Sequence, residues 1–255
     1  MALIKTTQEI EKLREGGRIL AQILNLLARS VKPGISTLEL DTLARREMKK
    51  AQVKPAFEGY KIGSDGPKYP AVLCSSVDHE VVHGIPRSDK VLQSGQIIGL
   101  DLGIIHKGLY TDAAVTVAVG ETNPKNEKLI RVTRQALEAG INMVKPGNTI
   151  GDVAHAVESV AKANGLAVIR DLVGHGVGHA LHEKPDVPNY GSSGTLEVLK
   201  SGMVIAIEPM LAIGDWRVKF LEDGWTVVTA DGSMAAHFED TVAVTPSGYE
   251  VLTKL

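Results

Sequence analysis

The sequence predicts an α/β (α+β) fold in which one helix–helix–strand unit occurs twice, related by a pseudo-two-fold axis. The first observation is repetition, because three segments of the first half return in the same order in the second half. The matched segments are VKPG at 31 and 144, VLQSGQIIGLDLG at 91 and VLKSGMVIAIEPM at 198, and TDAAVTVAV at 111 and FEDTVAVT at 238. The second observation is that each half contains two helical patterns followed by strand patterns. We therefore expect one domain over residues 1–255, with halves of about 1–120 and 121–255.

Four helices are predicted from apolar residues at helical spacing and from clear start and stop signals. The second helix of each half begins with a capping box, a Ser or Thr followed three residues later by an acid. Pro-Gly pairs end the first helix of each half, and an Asn-Pro pair opens the third helix. These signals place the helices at about 8–30, 36–51, 123–145 and 149–165.

Short runs rich in Val, Ile and Thr, bounded by Gly, Pro or Asp, predict the strands. They lie at 97–103, 110–119, 166–171, 203–208, 225–230 and 239–245. We expect these strands to join as a curved sheet with the helices on its outside. A ligand site is expected where the two halves meet, because interfaces between repeats form clefts.

Composition and charge exclude several classes of protein. A hydrophobic content of 44% with 23% charged residues is typical of a globular chain. The net charge of −2 argues against nucleic acid as a partner. Cys74 is the single cysteine, which excludes an intrachain disulfide and a Cys-rich zinc site and fits a reducing, cytoplasmic compartment. The charged N-terminal segment does not resemble a signal peptide, and no apolar run reaches the roughly 20 residues of a membrane span.

The chemically informative feature is the presence of acids inside apolar strands. Asp101 lies in IIGLDLGII, and Glu208 occupies the matching position of MVIAIEPM. Burial of a lone carboxylate is costly, so such a group is paired with a cation, protonated or bound to a metal. Asp112 and Glu239 each open the strand of another matched segment. An ion pair could explain one such acid, but four acids related in pairs favour ligands that converge on one centre.

Histidines from a Gly-rich segment are candidates to join these acids. GHGVGHALHEKP contains His175, His179 and His182, and three interpretations compete for it. A zincin-like helix lacks the H-E-x-x-H order and would contain too many glycines. A nucleotide loop of the type G-x-G-x-G lacks a clear following helix. We favour a Gly-rich turn and strand that presents imidazoles to the acids, and the likeness of VHGIP to LHEKP pairs His83 with His182.

The resulting set of Asp, Asp, His, Glu and Glu is rich in oxygen and contains one nitrogen. Five protein ligands, several of them able to bridge, suit two divalent ions about 3–4 Å apart. Such ligands favour Mn, Fe, Co or Zn over metals that need thiolates. Two bridged ions lower the pKa of a shared water, which makes hydrolysis the expected reaction. Because the sequence shows neither a phosphate loop nor a basic cleft, an amide substrate is favoured over a phosphoester.

This pattern resembles type I methionine aminopeptidase. The resemblance covers nearly the whole chain and rests on the five candidate ligands with their flanking VVHGIP, GHGVG and IEPM segments. It implies the pita-bread (creatinase/aminopeptidase) fold with a mainly antiparallel sheet, and two divalent ions per chain (Co, Mn, Fe, Zn or Ni). By the same resemblance Asp101 binds one ion, His175 and Glu208 bind the other, and Asp112 and Glu239 bridge them.

Further roles follow from the resemblance. Glu208 would also move protons, and His83 and His182 would hydrogen-bond the substrate amide and the tetrahedral intermediate. Trp225 matches a family position that lines the methionine pocket. The remaining candidates for the pocket wall are Phe57, Tyr60 and Cys74, and the alternatives Tyr60, Tyr69 or both stay open. His179 receives no role.

Within this superfamily the short type I form fits best. Prolidases and X-Pro aminopeptidases share the metal site but usually carry a large extra N-terminal domain, whereas only about 80 residues precede His83. Type II methionine aminopeptidases insert a helical subdomain, for which the interval between His175 and Glu208 leaves no room.

The resemblance implies removal of the initiator methionine from nascent proteins when the second residue is small. Its substrate would be nascent polypeptide N-termini near the ribosome, and the enzyme would be a cytoplasmic monomer that uses neither nucleic acid nor a membrane. One alternative is an X-Pro aminopeptidase of the same fold. The other is a non-catalytic pita-bread binding module, which the presence of all five ligands disfavours.

Overall fold

Two pairs of helices, one pair in each half of the chain, form as the sequence predicts. The computed structural model describes residues 4–61, 63 and 66–254. Its helices are α1 (Thr7–Ser30), α2 (Thr37–Lys50), α3 (Pro124–Asn142) and α4 (Ile150–Ala163). The capping boxes predicted before α2 and α4 are both present, with hydroxyl and carboxylate groups that accept hydrogen bonds from each other's backbone N–H groups. The Asn123 side chain caps α3, whose first residue is Pro124.

Short strands make up the other regular elements. In chain order they are β1 (Lys54–Pro55), β2 (Cys74–Val77), β3 (Glu80–Val82), β4 (Ile97–His106), β5 (Leu109–Ala118), β6 (Ala167–Val168), β7 (Gly174–Gly176), β8 (Glu183–Val187), β9 (Val204–Ile207), β10 (Met210–Ala212), β11 (Val218–Phe220), β12 (Val227–Thr229), β13 (Ala235–His237), β14 (Asp240–Thr245) and β15 (Gly248–Val251). Every strand pair in the described part of the chain is antiparallel. The predicted mixed fold with mainly antiparallel pairing is therefore confirmed.

The strands form four ladders, where the sequence leads us to expect one curved sheet. β1, β2, β4 and β5 form the sheet of the first half, and β7, β8, β9, β14 and β15 form the sheet of the second half. Two three-stranded ladders complete the fold, one of β6, β10 and β13 and one of β3, β11 and β12. Because β3 comes from the first half and pairs with β12 of the second, the halves share a ladder.

The two larger sheets meet where β5 lies beside the segment that leads into β14. Ala114 and Glu239 exchange two backbone hydrogen bonds there, with N–O distances of 3.2 and 2.9 Å. Next to them the Thr241 hydroxyl group lies between the two backbone segments. It accepts a hydrogen bond from the N–H of Asp112 at 3.0 Å and donates one to the carbonyl oxygen of Asp112 at 2.8 Å. The hydroxyl group takes the place of a direct backbone contact, and both the N–H and the carbonyl group of Asp112 keep a hydrogen-bond partner. Two of the candidate acids therefore lie at the junction of the halves.

The first pair of helices packs on the sheet of the first half, and the second pair packs mainly on strands of the second half. Leu20 of α1 shares a buried cluster with Leu100 of β4, and Ile141 of α3 shares another with Ile205 of β9. Burial of each such side chain contributes roughly 1.5–3 kcal/mol to stability. In the described residues no helix combines the length and the apolar character that crossing a membrane requires.

The strands differ from the sequence prediction in length and in number. The predicted strands 166–171 and 225–230 shorten to Ala167–Val168 and Val227–Thr229. Strands β2, β3, β8, β10, β11, β13 and β15 have no clear sequence signal, because three to five residues show too little alternation. Contrary to the prediction, neither Asp112 nor Glu239 is the first residue of its strand. Asp112 is the fourth residue of β5, and Glu239 directly precedes β14.

Candidate active site

Strand register turns the candidate ligands of both halves toward one side of the sheet. Cys74 on β2 lies opposite Asp101 on β4, and Asp101 lies opposite Ala114 on β5. Ala114 in turn lies opposite Glu239 of the second half. Opposite residues of an antiparallel pair project to the same face, and so do residues two apart along a strand. Asp101, Asp112 and Glu239 therefore share one face.

The second half brings His175 to the same centre on β7. His175 lies opposite Ala206 of β9, and Glu208 follows at the end of β9, with 3.5 Å between His175 Nε2 and Glu208 Oε1. The glycines beside this histidine are needed for the close approach of neighbouring strands. A Cβ atom would lie 2.4 Å from a backbone oxygen at Gly174 and 2.5 Å from one at Gly176. The Gly-rich segment is thus a turn and strand, as predicted.

Three of the acids at this centre are buried, Glu208 is partly buried, and the four lack a lysine or arginine partner among the described residues. Among the described residues, none of the four acids forms an ion pair with Lys or Arg, and the ion-pair contacts of the cluster are with His175 and with a further histidine, His237. One carboxylate oxygen of each of three acids is buried and has no hydrogen-bond partner in the described chain. These acids are Asp101, Asp112 and Glu239. Ligand atoms of Asp112, His175 and Glu239 all lie within 4.8 Å of one another. The donor set and its unsatisfied oxygens fit divalent metal ions.

Burial is the main cause of unusual pKa values in the cluster. It raises the pKa of Asp112 to about 7. Burial, with repulsion from Asp112 as the next cause, raises the pKa values of Asp101, Glu208 and Glu239 well above their ordinary range. Carboxylates in such surroundings ionise together at neutral pH only when nearby positive charge compensates. Divalent ions would supply that charge and reverse the shifts.

The ring of His175 is oriented for binding through Nε2. Burial, followed by the influence of His182, lowers the pKa of His175 to about 3, so its ring is neutral. Nδ1 lies 3.0 Å from the carbonyl oxygen of Gly176. Because a carbonyl oxygen only accepts hydrogen bonds, Nδ1 carries the proton and Nε2 keeps the lone pair that a metal requires.

A cavity of about 340 Å³ opens onto this cluster, and every residue selected from the sequence lines it. Those residues are Phe57, Tyr60, Cys74, His83, Asp101, Asp112, His175, His182, Glu208, Trp225 and Glu239. Of the two tyrosines left open, both Tyr60 and Tyr69 line the cavity. Positions 62, 64 and 65 of the intervening segment lie outside the described residues. The apolar residues Leu181 and Met210 also line the cavity, and no motif or spacing in the sequence predicts them there.

Aromatic rings form one wall of the cavity. The ring of Tyr69 contacts those of Phe57 and Trp225 edge to face, with centroid separations of 6.4 and 5.2 Å. The Tyr69 hydroxyl group lies 3.0 Å from the carbonyl oxygens of Leu73 and Gly84 and donates to them. This wall is apolar and held in place by hydrogen bonds, and polar groups are concentrated at the acid cluster.

Two histidines flank the cluster. His83 is partly buried, and its backbone is left-handed with φ of 59°. This conformation is uncommon for a residue other than glycine and is found most often at functional sites. Burial lowers the pKa of His83 to about 4, so its ring is neutral. The ring centroids of His182 and His175 lie 4.3 Å apart. Nδ1 of His182 lies 2.6 Å from the Tyr60 hydroxyl oxygen. His179, which has no predicted role, pairs with a carboxylate of α1 instead.

The model of the Metallopeptidase family M24 matches residues 11–246. The chain belongs to metallopeptidase family M24. An M24 relative, methionine aminopeptidase of Clostridium perfringens, is 44% identical over 99% of this chain and 99% of its own length. The crystal structure of methionine aminopeptidase from Thermotoga maritima matches all of both chains with a TM-score of 0.96 and 49% identity. The predicted resemblance and the pita-bread fold are confirmed.

The same comparisons separate this M24 chain from longer members of the fold. A prolidase from Pyrococcus furiosus matches the whole of this chain with a TM-score of 0.77 and 25% identity, but the match covers only 66% of that prolidase. The methionine aminopeptidases match from end to end. This difference agrees with the expected extra domain of prolidases.

Two polar residues beside the site, Asn189 and His237, were not predicted from the sequence. Asn189 is fully buried and donates a hydrogen bond to the carbonyl oxygen of Glu208 at 3.0 Å, which fixes the backbone of that acid. His237 is also buried, with Nε2 near Glu208 and Glu239. A signal for His237 was available, since it lies two residues before Glu239 and alternate residues of an extended chain share a face.

Proposed function

We propose that this chain is a metal-dependent aminopeptidase that removes the N-terminal methionine from nascent proteins when the second residue is small. The observation that carries the proposal is a buried set of four carboxylates and one imidazole at a cavity with an aromatic wall. Full-length similarity to enzymes named methionine aminopeptidase supports it. The two parts of the cavity correspond to the two requirements of the reaction, a hydrolytic centre and a pocket for an apolar side chain.

Five residues would hold two divalent ions, for which Co, Mn, Fe, Zn and Ni are candidates. Asp101 would bind one ion, His175 and Glu208 the other, and Asp112 and Glu239 would bridge them. The unsatisfied carboxylate oxygens and the available Nε2 of His175 support this assignment. When bound, the ions would lower the pKa of the attacking water and stabilise the charge that develops on the peptide carbonyl oxygen.

Three side chains would move or hold protons and orient the peptide. Glu208 would accept a proton from the attacking water and pass it to the leaving amine, and its backbone is fixed by Asn189. His83 would donate a hydrogen bond from its neutral ring to the substrate amide. His182 would hydrogen-bond the tetrahedral intermediate, with its ring held by the Tyr60 hydroxyl group at 2.6 Å.

The aromatic wall would select methionine. Phe57, Tyr60, Cys74 and Trp225 would contact the methionine side chain, together with Tyr69, which joins them in the cavity lining. A thioether is flexible and polarizable, and its sulfur packs favourably against aromatic ring edges. The cleft beyond this wall would exclude a bulky second side chain sterically.

The cellular context follows from the substrate. Nascent chains begin with methionine in the cytoplasm, so we place the enzyme there, near the ribosome. The residues of the site come from both halves of the chain, which supports one catalytic domain over residues 1–255. We propose that this domain acts as a monomer. Neither nucleic acid nor a membrane is needed by the reaction.

Peptide hydrolysis by the full chain tests the proposed activity. We expect the protein reconstituted with Mn²⁺ or Co²⁺ to release methionine from Met-Ala-Ser at least tenfold faster than from Met-Leu-Ser, and a chelator to abolish both reactions. Equal rates would contradict selection for a small second residue. Faster release of Ala from Ala-Pro-Ser would favour the X-Pro aminopeptidase alternative, and no hydrolysis at all would favour a binding module.

Substitution of the bridging acids tests the assigned ligands. Asp112→Ala and Glu239→Ala should each abolish metal binding and hydrolysis, because each removes a carboxylate shared by both ions. Asp89→Ala is the matched control, since Asp89 is an exposed carboxylate outside the cavity lining with 66% of its side-chain surface accessible. Retained activity in either alanine variant would contradict the ligand assignment.

A further inference from the structure

The acid cluster has a second imidazole in addition to His175. His237 Nε2 lies 3.7 Å from Glu208 Oε2 and 3.9 Å from Glu239 Oε2. The other oxygen of Glu208, Oε1, lies 3.5 Å from His175 Nε2. Glu208 therefore presents one carboxylate oxygen to each imidazole. The five proposed metal ligands do not include the imidazole of His237.

The separations around His237 do not fit hydrogen bonds. An N–H···O hydrogen bond has its heavy atoms about 2.7–3.2 Å apart, and 3.6 Å is already too long. Two atoms that bind one transition-metal ion, each about 2.1 Å from it, lie roughly 3–4 Å apart. The distances from Nε2 to the two carboxylates fall in that range. Oxygens of Glu208 and Glu239 and Nε2 of His237 all lie within 4.8 Å of one another.

His237 Nε2 is buried and unsatisfied. Only 4% of the side chain is accessible, and Nε2 has no hydrogen-bond partner among the described residues. Buried polar atoms are nearly always paired, so an unpaired nitrogen aimed at two carboxylates points to a missing cation. A lone-pair nitrogen between carboxylate oxygens is what a divalent ion requires.

The fold holds His237 in this position. The Thr116 hydroxyl group accepts a hydrogen bond from the N–H of His237 at 2.9 Å and donates to its carbonyl at 2.7 Å. His237 also lies opposite Met210 in the pairing of β10 with β13. Because the backbone is fixed on both sides and Glu239 follows two residues later, the imidazole and this carboxylate project to the same face.

We propose that His237 is a sixth protein ligand of the metal centre, binding through Nε2 the ion that Glu208 and Glu239 hold. The proposal rests on the metal centre proposed above. A further imidazole would shift the preference of that ion site toward Co²⁺, Ni²⁺ or Zn²⁺ relative to Mn²⁺, because imidazole suits those metals better than an oxygen-only environment. It would also fill a coordination position that water would otherwise occupy.

Proton NMR of the Co²⁺-loaded full chain counts the bound imidazoles without any substitution. The ring N–H of a histidine bound to Co²⁺ gives a strongly shifted signal that disappears in deuterium oxide. We expect two such signals, from His175 and His237, and the loss of one in His237→Gln. A single signal would overturn the proposal for His237 while leaving the five-residue centre intact. No shifted signal together with no bound cobalt would overturn the centre itself.

Calorimetric titration of the metal-free protein with Co²⁺ and with Mn²⁺ gives an independent readout. We expect His237→Gln and His237→Ala to weaken Co²⁺ binding at least tenfold, with a smaller loss for Mn²⁺. His79→Gln, at an exposed histidine, should bind as the parent does. Unchanged Co²⁺ affinity in the folded variants would overturn the proposal. If neither variant folds, as judged by circular dichroism, the number of shifted signals in the parent protein decides.

Discussion

Asp112→Asn should stabilise the metal-free protein at alkaline pH and weaken its response to metal. Asp112 is buried at the junction of the halves, close to Asp101 and Glu239. Its Oδ1 has no hydrogen-bond partner among the described residues. Without metal, ionisation of this carboxylate is opposed by burial. Asparagine has nearly the same shape and no charge, so it removes this penalty. Its amide can also donate to the neighbouring carboxylates.

The magnitude follows from the pKa of Asp112. Burial raises this pKa from 3.8 to about 7 in the folded chain. Well below pH 3.8 the group is protonated in both states, so it costs no stability. As the pH rises through the interval from 3.8 to 7 the unfolded chain ionises first, and the folded state loses stability until about pH 7. A difference of about 3 pKa units corresponds to about 4 kcal/mol, which is the upper limit of the gain for Asp112→Asn.

Urea unfolding of chelator-treated protein between pH 4.5 and 8.5 measures this gain. The free energy of unfolding of Asp112→Asn should exceed that of the parent at pH 8, and the difference should shrink toward pH 4.5. With Mn²⁺ at 100 times its Kd the parent should gain about 2.7 kcal/mol, and the variant much less. Asp89→Asn, at an exposed carboxylate outside the cavity lining, should leave the pH dependence over this range and the response to Mn²⁺ unchanged. A metal-free variant less stable than the parent at pH 8 would refute the reasoning.

Three further substitutions test particular contacts. Tyr60→Phe removes the hydroxyl group that holds His182, so kcat/KM for Met-Ala-Ser should fall about tenfold while metal content, measured by elemental analysis, stays unchanged. Gly174→Ala places a Cβ atom 2.4 Å from a backbone oxygen, so metal affinity measured by calorimetry should drop. Lys5→Met leaves the buried carboxylate of Glu183 without its ion-pair partner at 2.5 Å, and urea unfolding should show a loss of about 3–5 kcal/mol. A variant with the same measured value as the parent protein would contradict the role given to the corresponding contact.

Much of the fold could be predicted because its signals are local or repeated. The cap residues before α2 and α4 and the Pro at the start of α3 fix helix boundaries through contacts within three or four residues. The duplication located the junction of the halves. Strands such as β3 and β12 pair across the halves, and each contains only three residues. Their pairing is set by tertiary contacts, which no local pattern encodes.

The candidate site was predictable where its chemistry conflicts with its surroundings. Acids inside apolar strands and an imidazole between glycines are conspicuous in the sequence, and the structure brings Asp101 and His175 to one cavity. His237 was missed because its one signal, the spacing of two residues to Glu239, is informative only once the segment is known to be extended. The hydroxyl groups of Thr116 and Thr241 at the junction were missed because the strand spacing that they set is a property of the assembled sheets.

Anomalous diffraction from crystals of the full chain grown with Mn²⁺ tests the central claim most directly. The claim is that carboxylates from both halves hold two ions at their junction. Two anomalous peaks about 3–4 Å apart are predicted, with Asp112 and Glu239 bound to both. The absence of any anomalous peak at the acid cluster at saturating Mn²⁺, or peaks found only elsewhere on the chain, would contradict the account.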